Sequence, residues 1–202
     1  MSIVPKGAAT ATRGVLAPIA RTLHGLGVSA NAVTATGFAL TCAGATFLAT
    51  GQPAPALVIL LIGTLADTLD GQVARLGGGG TKLGGFLDST FDRLSDSALC
   101  AAAVILGGSR GDALLFLTAI VALVAGSLVP YIRAKAESLG VTASVGLAPR
   151  EARLAIFILG VAAWALSDSL RLFATAVAVV ALLSTITAIQ RIAHVILALR
   201  NT

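Results

Sequence analysis

Long apolar segments, separated by short polar or glycine-rich breaks, most constrain how this chain can fold. A helix that crosses a bilayer needs about 20 predominantly apolar residues. The chain is 56% hydrophobic with a mean hydropathy of +0.94, more apolar than an ordinary soluble domain. We therefore expect an all-α integral membrane protein with six transmembrane helices, near residues 31–50, 54–76, 84–107, 112–132, 153–166 and 170–190.

The first thirty residues differ from the rest of the chain. Lys6, Arg13 and Arg21 are separated there by short apolar groups, a pattern typical of an amphipathic helix on an anionic membrane surface. The sequence thus predicts two parts: an interfacial segment, residues 1–30, and a six-helix membrane domain, residues 31–202.

Basic residues predict the orientation of the chain, because Lys and Arg accumulate on the cytoplasmic side of membrane proteins. With the N-terminus inside, only Arg110 and Arg171 of the fourteen Lys and Arg residues fall outside. Both termini and the acidic region described next are therefore expected in the cytoplasm. The chain has a net charge of +5, but its basic residues do not form a patch interleaved with aromatic residues. We therefore expect no nucleic-acid partner.

Acidic residues are concentrated in one short stretch. Five of the nine fall between Asp67 and Asp96. Asp67 and Asp70 are three residues apart, and Asp88, Asp92 and Asp96 are four apart, so each set shares a helical face. Carboxylates brought together repel each other unless cations lie between them. Their hard oxygen atoms suit Mg²⁺, Mn²⁺ or Ca²⁺, which predicts a divalent-metal site.

The spacing of this stretch is more specific than an acidic cluster. It reads Asp67-x-x-Asp70-Gly71-x-x-Ala74-Arg75, then eight residues, then Gly84-x-x-x-Asp88-x-x-x-Asp92. This pattern resembles the signature of the CDP-alcohol phosphotransferases, integral membrane enzymes of phospholipid synthesis. The resemblance implies that Asp67, Asp70 and Asp88 bind two Mg²⁺ ions, or Mn²⁺, with Asp92 as a further ligand and the general base. It also implies a homodimer and a nucleotide-binding face formed by Gly71, Ala74, Arg75 and Gly84 together with Asp67 and Asp70.

A second family element lies near the start of the first predicted span. Asn31 and Thr34 resemble it, although Ala30 stands where the family usually has proline. The resemblance implies that both residues contact the nucleotide. An N-cap role for Ser29 or Asn31 is the alternative.

Basic residues also gather at the cytoplasmic ends of the last three predicted helices, which suggests a pocket for an anionic acceptor. The GGGTKLGGFLDSTFDRLSD, YIRAKAE and PREARL runs resemble the actinobacterial phosphatidylinositol-phosphate synthases of the same family. This resemblance implies transfer of a phosphatidyl group from CDP-diacylglycerol to inositol phosphate, with release of CMP, at a bacterial inner membrane. By position, the acceptor phosphate would be held by Lys135, Arg153 and Arg191, with Arg133 and Ser127 as further candidates.

Two other functions remain open at this point. A phosphatidylglycerophosphate synthase would also need a pocket for a phosphorylated acceptor. A cation-coupled transporter would use intramembrane aspartates, although the acidic residues here gather near one face.

Three features outside the motif have simple interpretations. Asp96 is expected to pair with Arg93. The two histidines, His24 and His194, are expected to be solvated at the membrane interface. The Gly77–Gly80 run favours a flexible turn, with a phosphate-wrapping loop as the alternative.

Overall fold

The computed structural model describes residues 6–200, and their side chains from Leu16 onward. Helices and loops make up this range, without a strand, which confirms the all-α prediction. The first five residues of the predicted surface segment lie outside it, as do the side chains of Lys6 and Arg13. The helices are α1 (Lys6–Gly25), α2 (Ala30–Ala49), α3 (Pro53–Leu76), α4 (Lys82–Arg110), α5 (Ala113–Ser138), α6 (Arg150–Ser167) and α7 (Leu170–Arg200).

Each of the six predicted spans coincides with one of the helices α2 to α7. The predicted and observed ends differ most at α7, which continues to Arg200 rather than residue 190, and at α5, which continues to Ser138. Hydropathy detects where a segment stops being apolar, whereas a helix continues while its backbone hydrogen bonds do. The final turns of α5 are polar and continue the helix beyond its apolar part, whereas the extension of α7 beyond Arg191 is largely apolar.

Four of these helices, α2, α3, α5 and α7, are long and apolar enough to cross a membrane. Helix α6 has 18 residues and begins with the charged residues Arg150, Glu151 and Arg153. Helix α4 is longer but carries Asp88, Asp92 and Asp96 in its first half. The protein is therefore a membrane protein by the length and composition of four helices, and the count of six spans stays a prediction.

Local sequence signals define several helix ends. The side chains of Ser29, Thr81 and Asp112 accept hydrogen bonds from backbone N–H groups three residues later, at the starts of α2, α4 and α5. This confirms the capping role that the sequence allowed for Ser29. At the end of α1, Gly27 has φ +75°, and the Val28 N–H donates to the Leu23 carbonyl over 3.0 Å. This six-to-one bond is that of a Schellman motif, which needs a left-handed residue such as glycine.

The chain divides into two compact units. The first contains the residues up to Gly44 together with Val58–Ser95, and the second contains Ala45–Leu57 and the residues from Asp96 on. In the first unit, α1, α2 and α3 pack through buried Ala20, Val33, Ala66 and Val73. Helices α2 and α3 also approach closely, because a Cβ on Gly37 would lie 3.3 Å from the Cβ of Ala66. This contact is the small-residue packing typical of membrane helices.

The second unit is organised around Phe173 of α7, which is fully buried. Its ring lies 5.2 Å from that of Phe157, edge to face, and 5.8 Å from that of Trp164, both on α6. At the same interface a Cβ on Gly160 would meet the side chains of Ala176 and Phe173. Close contact between α6 and α7 therefore depends on glycine at position 160.

Candidate active site

Three carboxylates of the predicted metal site come together in the first unit. One oxygen atom from each of Asp67, Asp70 and Asp88 lies within 4.8 Å of the others. Asp70 is buried, while Asp67 and Asp88 are exposed. The first two come from α3, where a spacing of three residues places them on one face, and Asp88 comes from α4. Three oxygens this close suit a hard divalent cation, which would neutralise their repulsion.

Asp70 is oriented by a neighbouring helix. The Oγ1 atom of Thr34, on α2, lies 2.7 Å from Oδ2 of Asp70 and 3.0 Å from the carbonyl oxygen of Ala30. A hydroxyl group has one proton to donate, and the shorter bond goes to the charged acceptor, which is the stronger of the two. Thr34 thus holds a carboxylate of the metal group in place.

A cavity of about 510 Å³ adjoins the carboxylates within the first unit. This volume is within the usual range for small-molecule sites. Six of the eight residues predicted to bind the nucleotide line it, and Asp67 and Arg75 are the two that do not. Nη1 of Arg75 would lie 3.9 Å from a Cβ on Gly71. The lining consists of His24, Gly27, Val28, Ser29, Ala30, Asn31, Thr34, Asp70, Gly71, Val73, Ala74, Gly77, Gly79, Gly80, Thr81, Gly84, Gly85 and Asp88.

Gly84 lies against the element at the start of α2. A Cβ at this position would be 3.2 Å from Oδ1 of Asn31 and 3.1 Å from Oγ1 of Thr81. Both contacts are tighter than an ordinary van der Waals contact, so a side chain at residue 84 would push against Asn31. The structure therefore brings together two predicted nucleotide-binding residues that are 53 positions apart in the sequence.

The other two aspartates in the first half of α4, Asp92 and Asp96, pair with arginines. Asp92 is not among the three converging carboxylates, and its Oδ2 pairs with Nη1 of Arg93 at 3.5 Å. The expected pairing of Asp96 with Arg93 is wrong, because Oδ1 of Asp96 instead lies 3.2 Å from Nε of Arg150. The sequence suggested a partner on the same helix, whereas the tertiary fold brings Arg150 of α6 to Asp96.

The basic residues predicted for the acceptor lie in the second unit, and two of them approach the same stretch of α5. Nη1 of Arg153 would lie 3.4 Å from a Cβ on Gly126, and it donates to Oγ of Ser184 over 3.4 Å. Nη1 of Arg191 donates to the carbonyl oxygen of Val129 over 2.7 Å. Residues 126 and 129 are less than one helical turn apart. Arg153 from α6 and Arg191 from α7 therefore converge on α5.

The other three candidates are more exposed. Ser127 donates its hydroxyl to the carbonyl oxygen of Leu123, and Arg133 forms a 2.8 Å ion pair with Glu137. Lys135 is exposed near the end of α5. Arg133 is already paired, so Lys135 is the better candidate of these two cations for a ligand.

The loop between α5 and α6 is attached to one face of α7 by four side chains. Thr187 and Gln190 accept from the backbone N–H groups of residues 148 and 147, and Arg191 donates to the carbonyl oxygen of residue 145. A ring nitrogen of His194 lies 3.1 Å from the carbonyl oxygen of residue 142. His194, which was expected to be solvated, thus also contacts the loop. Positions 187, 190, 191 and 194 repeat at helical spacing, so they face the loop together.

Sequence reasoning missed the contribution of α1 to the cavity wall and named the Gly77–Gly80 run only as a possible phosphate-wrapping loop. The end of α1 and the turn after it contribute His24, Gly27 and Val28. The turn after α3 contributes Gly77, Gly79 and Gly80. None of them has a carboxylate or cysteine neighbour in the sequence that would mark a site. Only the packing of α1 against α3 brings these residues to the cavity.

Comparisons with known proteins find similarity along most of the chain. Residues 27–190 match the profile of the CDP-alcohol phosphatidyltransferase family. The chain is 39% identical over 170 residues to an archaetidylinositol phosphate synthase of Methanothermobacter thermautotrophicus, covering 84% of each protein. It is 36% identical over 163 residues to a phosphatidylinositol phosphate synthase of Mycobacterium marinum, covering 79% of this chain and 69% of that one.

Solved structures show the same fold. The chain resembles a Mycobacterium tuberculosis phosphatidylinositol phosphate synthase with CDP-DAG bound, with a TM-score of 0.82, 31% identity, and coverage of 90% of this chain and 93% of that one. A second structure of that enzyme, in complex with manganese and citrate, gives a TM-score of 0.81 at 31% identity, covering 88% and 87%. The similarity extends well beyond the aspartate motif.

Proposed function

The chain belongs to the CDP-alcohol phosphatidyltransferase family, and we propose that it transfers the phosphatidyl group of CDP-diacylglycerol to a hydroxyl of inositol phosphate. The products are phosphatidylinositol phosphate and CMP. The observation that carries this proposal is the group of three carboxylates beside a cavity lined by the motif residues Gly71, Ala74 and Gly84. An enzyme of this family accounts for that arrangement better than a transporter does.

The donor set fits divalent metal ions. Asp67, Asp70 and Asp88 would hold them, and we propose Mg²⁺, two ions per site, with Mn²⁺ as a substitute. Such ions neutralise a pyrophosphate and stabilise the phosphate that leaves. Carboxylate oxygens suit both metals, and a relative was solved in complex with manganese.

The chain's own residues bind the donor and move one proton. Gly71 and Ala74 of α3, with little side-chain bulk, leave room for the cytidine diphosphate beside the backbone. The hydroxyl oxygen of the acceptor forms a bond to the phosphorus that carries diacylglycerol, and the bond from that phosphorus to the oxygen of CMP breaks. We assign Asp92 as the general base, so its carboxylate takes the hydroxyl proton, and as a further metal ligand in the loaded enzyme.

The acceptor is assigned to the basic residues of the second unit. Arg153, Arg191 and Lys135 would bind the phosphate of inositol phosphate, with Arg133 and Ser127 in supporting positions. A bidentate guanidinium is well suited to phosphate. Glycerol phosphate would satisfy the same cations, but relatives named for inositol phosphate products favour inositol phosphate.

A second donor is also favoured by a specific observation. Two relatives, 39% and 37% identical to this chain, are archaetidylinositol phosphate synthases from archaea. The cavity contacts proposed here involve the nucleotide and not the lipid chains. The archaetidyl counterpart of CDP-diacylglycerol is therefore the alternative donor, with the same acceptor and the same residues.

In the membrane, we propose that α2 to α7 all span the bilayer and that α1 lies on the cytoplasmic surface of the cytoplasmic membrane. Short spans such as α6, with charged first turns, would end at the interface, where long basic side chains reach water. The balance of Lys and Arg favours cytoplasmic termini and a cytoplasmic active site. We further propose a homodimer, as the family resemblance implies.

The decisive experiment is CMP release by the purified protein with CDP-diacylglycerol and Mg²⁺. Inositol phosphate, glycerol phosphate and free inositol are compared as acceptors, and the archaetidyl donor is tested in parallel. We expect release with inositol phosphate alone, abolished by EDTA and restored by Mg²⁺ or Mn²⁺. Release with glycerol phosphate alone would overturn the acceptor, and activity only with the archaetidyl lipid would overturn the donor.

A further inference from the structure

The cavity beside the carboxylates extends past the family motif to a histidine. His24, near the end of α1, lines it together with the glycines that follow α3. Its Cε1 atom lies 3.8 Å from the position of a Cβ on Gly77. The imidazole therefore lies beside the end of α3, on the wall of the cavity.

The carboxylates and His24 are separated along α3. Gly77 follows Asp70 by seven residues, and its N–H donates to the carbonyl oxygen of Val73 over 3.0 Å, so the helical path continues to it. At 1.5 Å per residue, this places Gly77 about 10 Å beyond Asp70 along the helix. The carboxylates thus occupy one part of the cavity, and His24 a part about two turns away.

The end of α1 holds His24 in this place. The Gly27 N–H donates to the carbonyl oxygen of His24, and the Val28 N–H to that of Leu23, both over 3.0 Å. Leu23 and Val28 pack against the buried core of the first unit. The helix end is therefore anchored on both sides of His24, while its side chain remains exposed to the cavity.

We propose that His24 contacts the nucleoside of the bound cytidine nucleotide and is a positioning residue for the donor. The inference rests on the proposed function, since a pyrophosphate at Asp70 and Asp88 leaves the ribose and cytosine to extend along α3. Gly71 and Ala74 lie along that path, and Gly77 and His24 lie at its end. Imidazole provides two nitrogens that donate or accept hydrogen bonds and a flat ring that can stack on cytosine, which a phosphate cannot do.

The chain contains two histidines, His24 and His194, which makes the contact measurable without turnover. We would record the imidazole C–H resonances by NMR in detergent micelles and assign them with the His194→Ala variant. Addition of CMP with Mg²⁺ should shift the signals of His24 and leave those of His194 unchanged. Inorganic phosphate with Mg²⁺, which lacks a nucleoside, should leave the His24 signals unmoved.

A matched pair of variants tests the energetic contribution. His24→Ala should weaken CMP binding about tenfold, as expected for loss of one stacking or hydrogen-bonding contact to a nucleoside. The KM for CDP-diacylglycerol should rise by a similar factor, while kcat changes less than about twofold. His194→Ala should bind CMP like the unmodified protein.

Three results would overturn the inference: His24 signals unmoved at saturating CMP, His24 signals moved equally by phosphate, or unchanged CMP affinity in His24→Ala. If the unmodified protein binds CMP and releases it from CDP-diacylglycerol, any of these removes His24 alone and leaves the proposed function intact. If the unmodified protein neither binds CMP nor releases it, both fail together.

Discussion

The hydroxyl of Thr34 lies 2.7 Å from the carboxylate of Asp70, and both side chains are buried. This bond connects the start of α2 to the carboxylate group on α3 and α4. A carboxylate that binds a metal keeps its orientation through such outer contacts. Thr34 was predicted to contact the nucleotide, and the structure shows in addition that it orients a candidate ligand.

Replacing Thr34 by Val should therefore impair the metal site. Val keeps the shape of the side chain but removes the donor to Asp70, and loss of such a contact typically lowers metal affinity or activity about 10–100-fold. CMP release measured against Mg²⁺ concentration would show it. Thr34→Ser should retain most activity, and Thr36→Val, which removes a hydroxyl bonded within α2, should have little effect. Equal Mg²⁺ dependence in Thr34→Val and the unmodified protein would contradict this role.

Asp88 and Asp92 should give different phenotypes when changed to Asn. Asp88 belongs to the three-carboxylate group and Asp92 does not. Asp88→Asn should lose both Mn²⁺ binding, followed by electron paramagnetic resonance, and turnover. Asp92→Asn should lose turnover by at least about 100-fold, as expected for a general base, while keeping most CMP binding. Unchanged turnover in Asp92→Asn would remove Asp92 from the mechanism.

Lys135→Ala should act on the acceptor. Loss of one charged contact to phosphate should raise the KM for inositol phosphate about tenfold, with a much smaller change for CDP-diacylglycerol. Arg200→Ala, at the last turn of α7, removes the same charge outside the predicted acceptor site and serves as the control. An unchanged acceptor KM in Lys135→Ala would reject its place in the acceptor site.

The ion pair between Arg150 and Asp96 should stabilise the second unit. Its side chains are only 19% and 30% exposed, so a double-mutant cycle with Arg150→Ala and Asp96→Ala should give a coupling energy of about 1 kcal/mol. The Arg133–Glu137 pair, with side chains 53% and 50% exposed, should give about 0.3–0.5 kcal/mol. Unfolding in detergent with increasing SDS would measure both. Equal couplings would show that burial does not strengthen the Arg150 pair.

Replacing each of two adjacent glycines of α4 by alanine should have opposite effects on the stability of the protein. A Cβ on Gly107 would lie 2.6 Å from the backbone nitrogen of Phe116, whereas one on Gly108 would lie 3.6 Å from the Phe116 ring. Gly107→Ala must therefore displace the backbone, and we expect about 1–3 kcal/mol of destabilisation. Gly108→Ala meets an ordinary contact and gains helix propensity of up to about 1 kcal/mol. The same SDS unfolding assay compares them, and a stable Gly107→Ala protein would contradict the close approach.

The helical class, the positions of the long helices and the shared face of Asp67 and Asp70 were predictable because each is a local property of the sequence. Apolar segments of membrane length specify helices by composition, and the spacing from Asp67 to Asp70 places both side chains on one helical face. Capping by Ser29 was similarly readable, because a cap involves residues only three positions apart. The family motif added Gly71, Ala74 and Gly84, which line the cavity beside the carboxylates.

The partners of individual side chains depended on tertiary structure. Asp96 pairs with Arg150, 54 positions away, rather than with Arg93, and His24 reaches the cavity because α1 packs against α2 and α3 through Ala20. Periodicity specifies the face on which a residue lies, but it does not specify which distant helix packs against that face. The sequence by itself therefore determined the helices, the membrane environment and the acidic motif. Only tertiary packing decided which carboxylates converge, how Thr34 orients Asp70 and which side chains surround the cavity.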